Sequence, residues 1–210
     1  MIIDSTQVTF ALVALMYASV IGMHLSKRSS WTVTLYTLQS VVLVLLLSLA
    51  LFHEFSWLLV VATAAVSLVK IGMAPRFFSL LIARHEVKFS ASTYLNGPAT
   101  LVILALLTAM THADYFLPLT TLAPHLADAI LLTFSMMLTS LFLVINKKGA
   151  LSHMTGILSL ENAIVAFATI TGLEQTPALQ LGVLFDIGIW VLIASIFAGM
   201  IYQTFGSLEV

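Results

Sequence analysis

The chain has 210 residues, of which 60% are hydrophobic and 8% are charged, and its formal net charge is -1. A soluble domain carries about 25% charged residues, so this composition excludes an ordinary water-soluble enzyme and predicts an integral membrane protein. Without cysteine, the chain can form neither disulfides nor thiolate-bound iron–sulfur clusters, and the near-neutral charge argues against a nucleic-acid partner.

Runs of apolar residues predict the membrane spans, because a helix needs about 20 such residues to cross the hydrocarbon. The residues before the first run include Asp4 and no basic residue, which favours a retained span over a signal peptide. The fourth run is short unless residues 111–116 extend it. In chain order, the seven runs are Val8–Leu25, Trp31–Phe52, Trp57–Ile82, Pro98–Met110, His125–Ile145, Met154–Gly172 and Pro177–Phe205. We therefore predict an all-α, polytopic membrane bundle of about seven transmembrane helices.

The positively charged residues predict the orientation of these spans. Except for Lys70, they lie near the end of the first, third and fifth runs or directly after it, whereas the alternate connections contain acidic residues and neither lysine nor arginine. The positive-inside rule then places the N-terminus outside and the C-terminus inside. The basic residues at span ends are Lys27, Arg28, Arg76, Arg84, Lys88, Lys147 and Lys148.

The longest polar connection, Thr111–Pro124, predicts a division of the chain into two parts. Residues 1–122 would form an N-terminal part of about four helices, and residues 123–210 a C-terminal part of three.

Three charged residues interrupt the predicted spans: Lys70, Glu161 and Asp186. Placing one such charged side chain at the centre of a bilayer costs about 2.5–3.5 kcal/mol of free energy. We therefore expect all three to face the bundle interior. One interpretation is a proton relay, because desolvation raises the pKa of a carboxyl and lowers that of a lysine. The alternative is a fixed salt bridge of Lys70 with Glu161 or Asp186. Pro75 follows Lys70 closely and is expected either to free a carbonyl beside it or merely to shape the packing.

Other polar residues carry weaker signals. Asp128, Ser135, Thr139 and Asn146 share one face of the fifth span, either for hydrogen bonds between helices or to line a water path. The six histidines fall near span ends, which argues against haem ligation and favours interfacial positions. His153 lies about two helical turns before Glu161 and could pass protons to it. The sequence has no nucleotide-binding or metalloprotease motif, so we predict neither a cofactor nor a metal.

The C-terminal part resembles the K subunit of respiratory complex I. The resemblance lies in a stretch with a basic turn, Val144–Leu151, followed by a glycine-containing run, Gly156–Ala163, with Glu161 and Asn162. Asp186 matches a second buried carboxylate of that family, as aspartate instead of glutamate. The whole chain resembles the hydrogenase-4 component E family, on these residues together with Val69–Pro75 and Asn96–Ala99.

This resemblance implies a multi-pass subunit in a bacterial or archaeal cytoplasmic membrane, belonging to a formate-hydrogenlyase-type oxidoreductase complex. Such a subunit would not be catalytic alone and would bind no redox centre. It would contribute to proton translocation through Glu161, Asp186, Lys70 and His153. Its partners would be an antiporter-like subunit, a subunit that anchors the redox arm, and the lipid bilayer. The alternatives are a stand-alone secondary transporter and a purely structural bundle subunit.

Overall fold

The computed structural model describes residues 5–53, 55, 57–84, 93–148 and 150–172, all within one compact unit. The seventh predicted span and Asp186 lie outside these residues. Regular structure in the described part is helical, apart from isolated β-bridge residues, which include the pair Thr93 and Lys147. The helices are α1 (Ser5–Leu25), α2 (Ser29–His53), α3 (Trp57–Val66), a π-helix (Ser67–Met73), α4 (Ala74–Arg84), α5 (Gly97–Thr111), two 3-10 helices (Leu117–Leu122 and Pro124–Leu126), α6 (Ala127–Asn146) and α7 (Ala150–Ile170).

Five of the described helical stretches are long and apolar enough to cross a membrane. They coincide with five predicted spans, so the prediction of an all-helical membrane bundle is confirmed for this part of the chain. Their bounds are Ser5–Leu25, Ser29–Phe52, Leu59–Leu80, Pro124–Asn146 and Leu151–Ile170. The count of seven and the orientation stay predictions, as does the division at residue 122.

The fourth predicted span is the short helix α5, of 15 residues. Asn96 begins it as a conventional N-cap, because its side-chain oxygen accepts a hydrogen bond from the backbone N–H of Ala99 at 2.9 Å, and Pro98 lies in the first turn. The helix ends at Thr111 and is followed by turns and 3-10 helices. Of residues 111–116, only Thr111 is part of the helix, and α5 alone is shorter than the hydrocarbon thickness.

Packing in the described part centres on α6, which contacts α1, α5 and α7, while α2 packs against α1, α7 and the π-helix. α6 and α7 pack tightly at Gly156, where an added Cβ would lie 2.7 Å from Val144 Cγ2. Small residues at helix interfaces allow such approaches in membrane proteins, where packing replaces the hydrophobic effect between helices.

Three basic connections meet at one end of the described bundle. The Lys147 ammonium donates to the carbonyl of Ser26, and the backbone N–H of Tyr94 donates to the carbonyl of Asn146 at 2.9 Å. The Lys148 ammonium also lies over the Tyr94 ring, 4.6 Å from its centroid. The connections that precede α2, α5 and α7 therefore lie together, and we call this end the basic end.

Candidate functional site: a buried lysine, glutamate and asparagine

Lys70 lies in the π-helix that interrupts the third span. The wide turn is visible in the backbone N–H of Ala74, which donates to the carbonyl of Val69, five residues earlier. Pro75 follows and has no N–H, so it cannot donate to the carbonyl of Lys70 in the same pattern. π-Helical turns of this kind occur frequently at functional sites, and this one directs Lys70 towards the bundle interior.

The Lys70 side chain is fully buried, with 0% of its surface exposed. Its ammonium donates a hydrogen bond to Asn162 Oδ1 at 2.9 Å and lies 3.6 Å from Glu161 Oε2. The Glu161 side chain is 11% exposed. The structure thus brings together two of the predicted site residues, from the third span and α7.

Asn162 is the hub of the polar contacts around this pair. It is fully buried, and its Nδ2 donates to Ser40 Oγ at 3.1 Å and to Gln39 Oε1 at 3.3 Å. Gln39 Nε2 in turn donates to the sulfur of Met136 at 3.5 Å. These bonds orient the amide of Asn162 so that its oxygen faces Lys70.

A row of buried hydroxyl and amide side chains runs along α7 from the basic end to Asn162. The row consists of Ser152, Thr155, Ser159 and Asn162, each no more than 4% exposed. Their spacing of three, four and three residues places them on one helical face. The Ser159 hydroxyl also lies 2.9 Å from that of Ser140 on α6. The row is about 15 Å long at the rise of an α-helix, so it joins the basic end to the centre of the bundle.

The remaining predicted site residues are placed differently. His153 is exposed at the basic end, where its Nε2 lies 2.8 Å from the carbonyl of Lys147. It does not contact Glu161, and the buried row begins at its neighbour Ser152 instead. Asp186 lies outside the described residues. A role for either residue in proton transfer stays a prediction.

The stripe predicted on the fifth span is largely buried. Ser135, Thr139 and Asn146 are each at most 2% exposed, whereas Asp128 is exposed at the start of α6. Asn146 Nδ2 donates to Thr100 Oγ1 of α5 at 3.2 Å, and its Oδ1 accepts from the backbone N–H of Leu95. These bonds match the interpretation of the stripe as hydrogen bonding between helices.

One histidine departs from its predicted interfacial position. His24 lies near the end of α1, as its sequence position indicates, but it is only 3% exposed because α6 covers it. No His, Asp and Glu cluster suited to a metal ion occurs among the described residues.

Comparisons with protein-family models, with curated proteins and with solved structures give no match for this chain.

Proposed function

We propose that Lys70 and Glu161 form a proton-binding centre in a non-redox membrane subunit of a complex-I-related, hydrogenase-type complex. The observation that carries this proposal is a fully buried lysine within 4 Å of a carboxylate, inside an apolar helix bundle. Ionisable residues at such depth are rare, expensive and usually functional.

The chemistry follows from the competition between two charge states. With Lys70 protonated and Glu161 ionised, each charge stabilises the other, although both are removed from water. If a proton moves from the ammonium to the carboxylate, both groups become neutral and desolvation no longer opposes them. The two states are closer in free energy in an apolar interior than in water, which is the property required of a relay.

Asn162 supports this exchange by holding Lys70 in place. Its amide oxygen accepts from the lysine nitrogen, which has N–H groups to donate in both its charged and its neutral form. Lys70 therefore keeps one contact when Glu161 gains or loses a proton. The row of polar side chains on α7 offers access from the basic end, which we take to face the cytoplasm under the positive-inside rule.

The test uses the chain within its native membrane complex, isolated through an affinity tag. We expect it to co-purify with an antiporter-like subunit and with a subunit that anchors the redox arm. In the assembled complex, Glu161→Gln should retain electron transfer and lose most proton translocation. Asp128→Asn, which alters an exposed acid on α6, is the matched control and should translocate protons normally.

Two results would overturn the proposal. Full proton translocation by an assembled Glu161→Gln complex would leave Lys70 and Glu161 only a packing role. Proton-coupled transport by the isolated chain in liposomes, without partner subunits, would favour a stand-alone transporter.

A structural bundle subunit is the second candidate, and one observation favours it. The Lys70–Asn162 bond continues through Gln39 and Ser40 into α2, so the network ties three spans together as a packing lock would. Buried polar contacts of this kind can specify helix packing without any transport role.

A further inference from the structure

A second buried titratable group, His24, lies apart from Lys70 and Glu161. Its Nε2 is 2.9 Å from the backbone carbonyl of Thr139, and its ring stacks on Phe142 with 5.1 Å between centroids. Because a carbonyl only accepts, Nε2 must carry the N–H. Nδ1 is then an acceptor, and among the described residues it has no hydrogen-bond partner. A buried nitrogen in this state is a binding position for a proton or a water molecule.

Lys147 is the charged group that His24 faces at the basic end. It is fully buried, and its charge opposes a positive charge on His24. Burial lowers the pKa of Lys147 to about 8, so its amine can release a proton near neutral pH. Lys27 and Arg28 of the α1–α2 connection are exposed, while the parts of α2, α5 and α6 near this end contain no carboxylate, lysine or arginine.

Buried hydroxyls lead from His24 towards the other end of the bundle. Thr139 and Ser135 are one turn apart on α6, and Thr139 Oγ1 donates to the Ser135 carbonyl at 2.9 Å. The Ser135 hydroxyl lies 2.5 Å from that of Thr111, at the end of α5. All three side chains are 0% exposed. We call Thr111, Ser135 and Thr139 the hydroxyl file.

The short helix α5 brings the far end of this file next to an exposed histidine. Thr111 Oγ1 lies 3.2 Å from Nδ1 of His112, which is exposed. α5 begins beside Asn146 and ends beside Ser135, about 16 Å away along α6. That distance is roughly half of a 30 Å hydrocarbon core, so the connection after α5 starts near mid-membrane depth. Non-helical backbone at this depth occurs where protein covers it or where it lines a water-filled cavity.

We propose that the hydroxyl file is a second proton pathway between α1, α5 and α6, with His24 as its titratable relay. A proton added at Nδ1 gives the imidazolium, and release of a ring proton to water regenerates a neutral ring, which returns to the Nε2–H form when Nε2 donates again to the Thr139 carbonyl. His112 is the entry on one side, and Lys147 connects His24 to the basic end. The pathway uses neither Lys70 nor Glu161, so experiments can support or refute it independently of the Lys70–Glu161 centre proposed above.

The test is nitrogen-15 magnetic resonance of labelled histidine in the full chain, reconstituted in lipid nanodiscs. His24→Gln assigns the signal. We expect His24 to change reversibly from the neutral Nε2–H form to the doubly protonated form as the pH is lowered. Lys147→Met should move that curve to higher pH, because it removes a like charge. Ser135→Ala should slow exchange of the ring protons with water.

Two control variants separate this pathway from other sites. Glu161→Gln and His125→Gln should leave the His24 curve unchanged, since His125 is exposed at the opposite end of the bundle. A His24 signal that stays in one neutral form over the whole pH range would overturn the proposal. So would a titration that Lys147→Met does not move.

Discussion

The ammonium of Lys70 is closer to the neutral amide of Asn162, at 2.9 Å, than to the carboxylate of Glu161, at 3.6 Å. A direct charge-assisted hydrogen bond is about 2.7–2.9 Å long, so the Lys70 ammonium and the Glu161 carboxylate are farther apart than in such a bond. Asn162 is itself fixed by Gln39 and Ser40. Of these two contacts of the buried cation, the shorter one is therefore with an uncharged group, which distinguishes this site from a simple salt bridge.

Asn162→Ala tests the positioning role of the amide. The variant removes the acceptor for Lys70 and leaves Gln39 without its donor, so we expect a loss of about 1.5–3 kcal/mol in the free energy of unfolding. Unfolding in mixed micelles of increasing denaturing detergent measures this loss. Gln7→Ala removes an amide from an exposed position of α1 and should change stability little. Equal stability of the two variants would show that Asn162 does not hold Lys70.

A double-mutant cycle on Lys70→Met and Glu161→Gln measures the coupling of the pair. Breaking a buried ion pair at one partner costs about 3–5 kcal/mol, because the other charge stays buried. The double variant leaves neither charge and should lose clearly less stability than the sum of the single variants. Additive losses would mean that Lys70 and Glu161 do not interact in the folded protein.

The membrane-spanning helices could be predicted from the sequence because run length alone identifies them. Five predicted spans coincide with five apolar helical stretches, and the weakness of the fourth run corresponds to the short α5. The π-helix at Lys70 could not be predicted beyond an irregularity near Pro75, since it depends on how one backbone turn widens. The burial of Lys147 was missed because its position after a span indicates an exposed, snorkelling lysine.

The charged residues of the site could be predicted from the sequence, whereas most of its neutral residues could not. Lys70 and Glu161 stand out because a charge in an apolar run is expensive, and the structure brings them together. Gln39 and Ser40 carry no charge, although a Gln-Ser pair inside an apolar run also indicates a buried polar contact. The i, i+3, i+4 spacing of the serine and threonine residues on α7 would have revealed the polar row.

Gly156→Ala tests the close approach of α6 and α7. The new Cβ would lie 2.7 Å from Val144 Cγ2 and 3.1 Å from its backbone nitrogen, so the two helices must separate. Overpacking of this kind costs about 1–3 kcal/mol, visible as a lower midpoint of detergent unfolding. Gly97→Ala is the matched control, because no atom lies within 4 Å of its added Cβ. A midpoint for Gly156→Ala at or above that of the wild type contradicts the packing.

The buried Lys147 predicts a specific dependence of stability on pH. Burial lowers its pKa from 10.5 to about 8, so the folded chain binds fewer protons than the unfolded chain between these values. The free energy of unfolding should therefore rise as pH increases from about 8 to 10.5. Below pH 8, the destabilisation caused by burying the charged Lys147 ammonium should be fully present. Unfolding at a series of pH values measures the rise. Lys147→Met should remove it, whereas Lys148→Met, at an exposed position, should not.

Infrared spectroscopy of the reconstituted chain tests most directly whether Glu161 exchanges a proton. A protonated carboxyl has a carbonyl stretching band that the ionised form lacks. We predict a band that appears and disappears reversibly with pH, is absent in Glu161→Gln, and is displaced along the pH axis in Lys70→Met. A Glu161 that stays ionised at every pH where the protein is folded would contradict the account, because the pair would then be a fixed salt bridge.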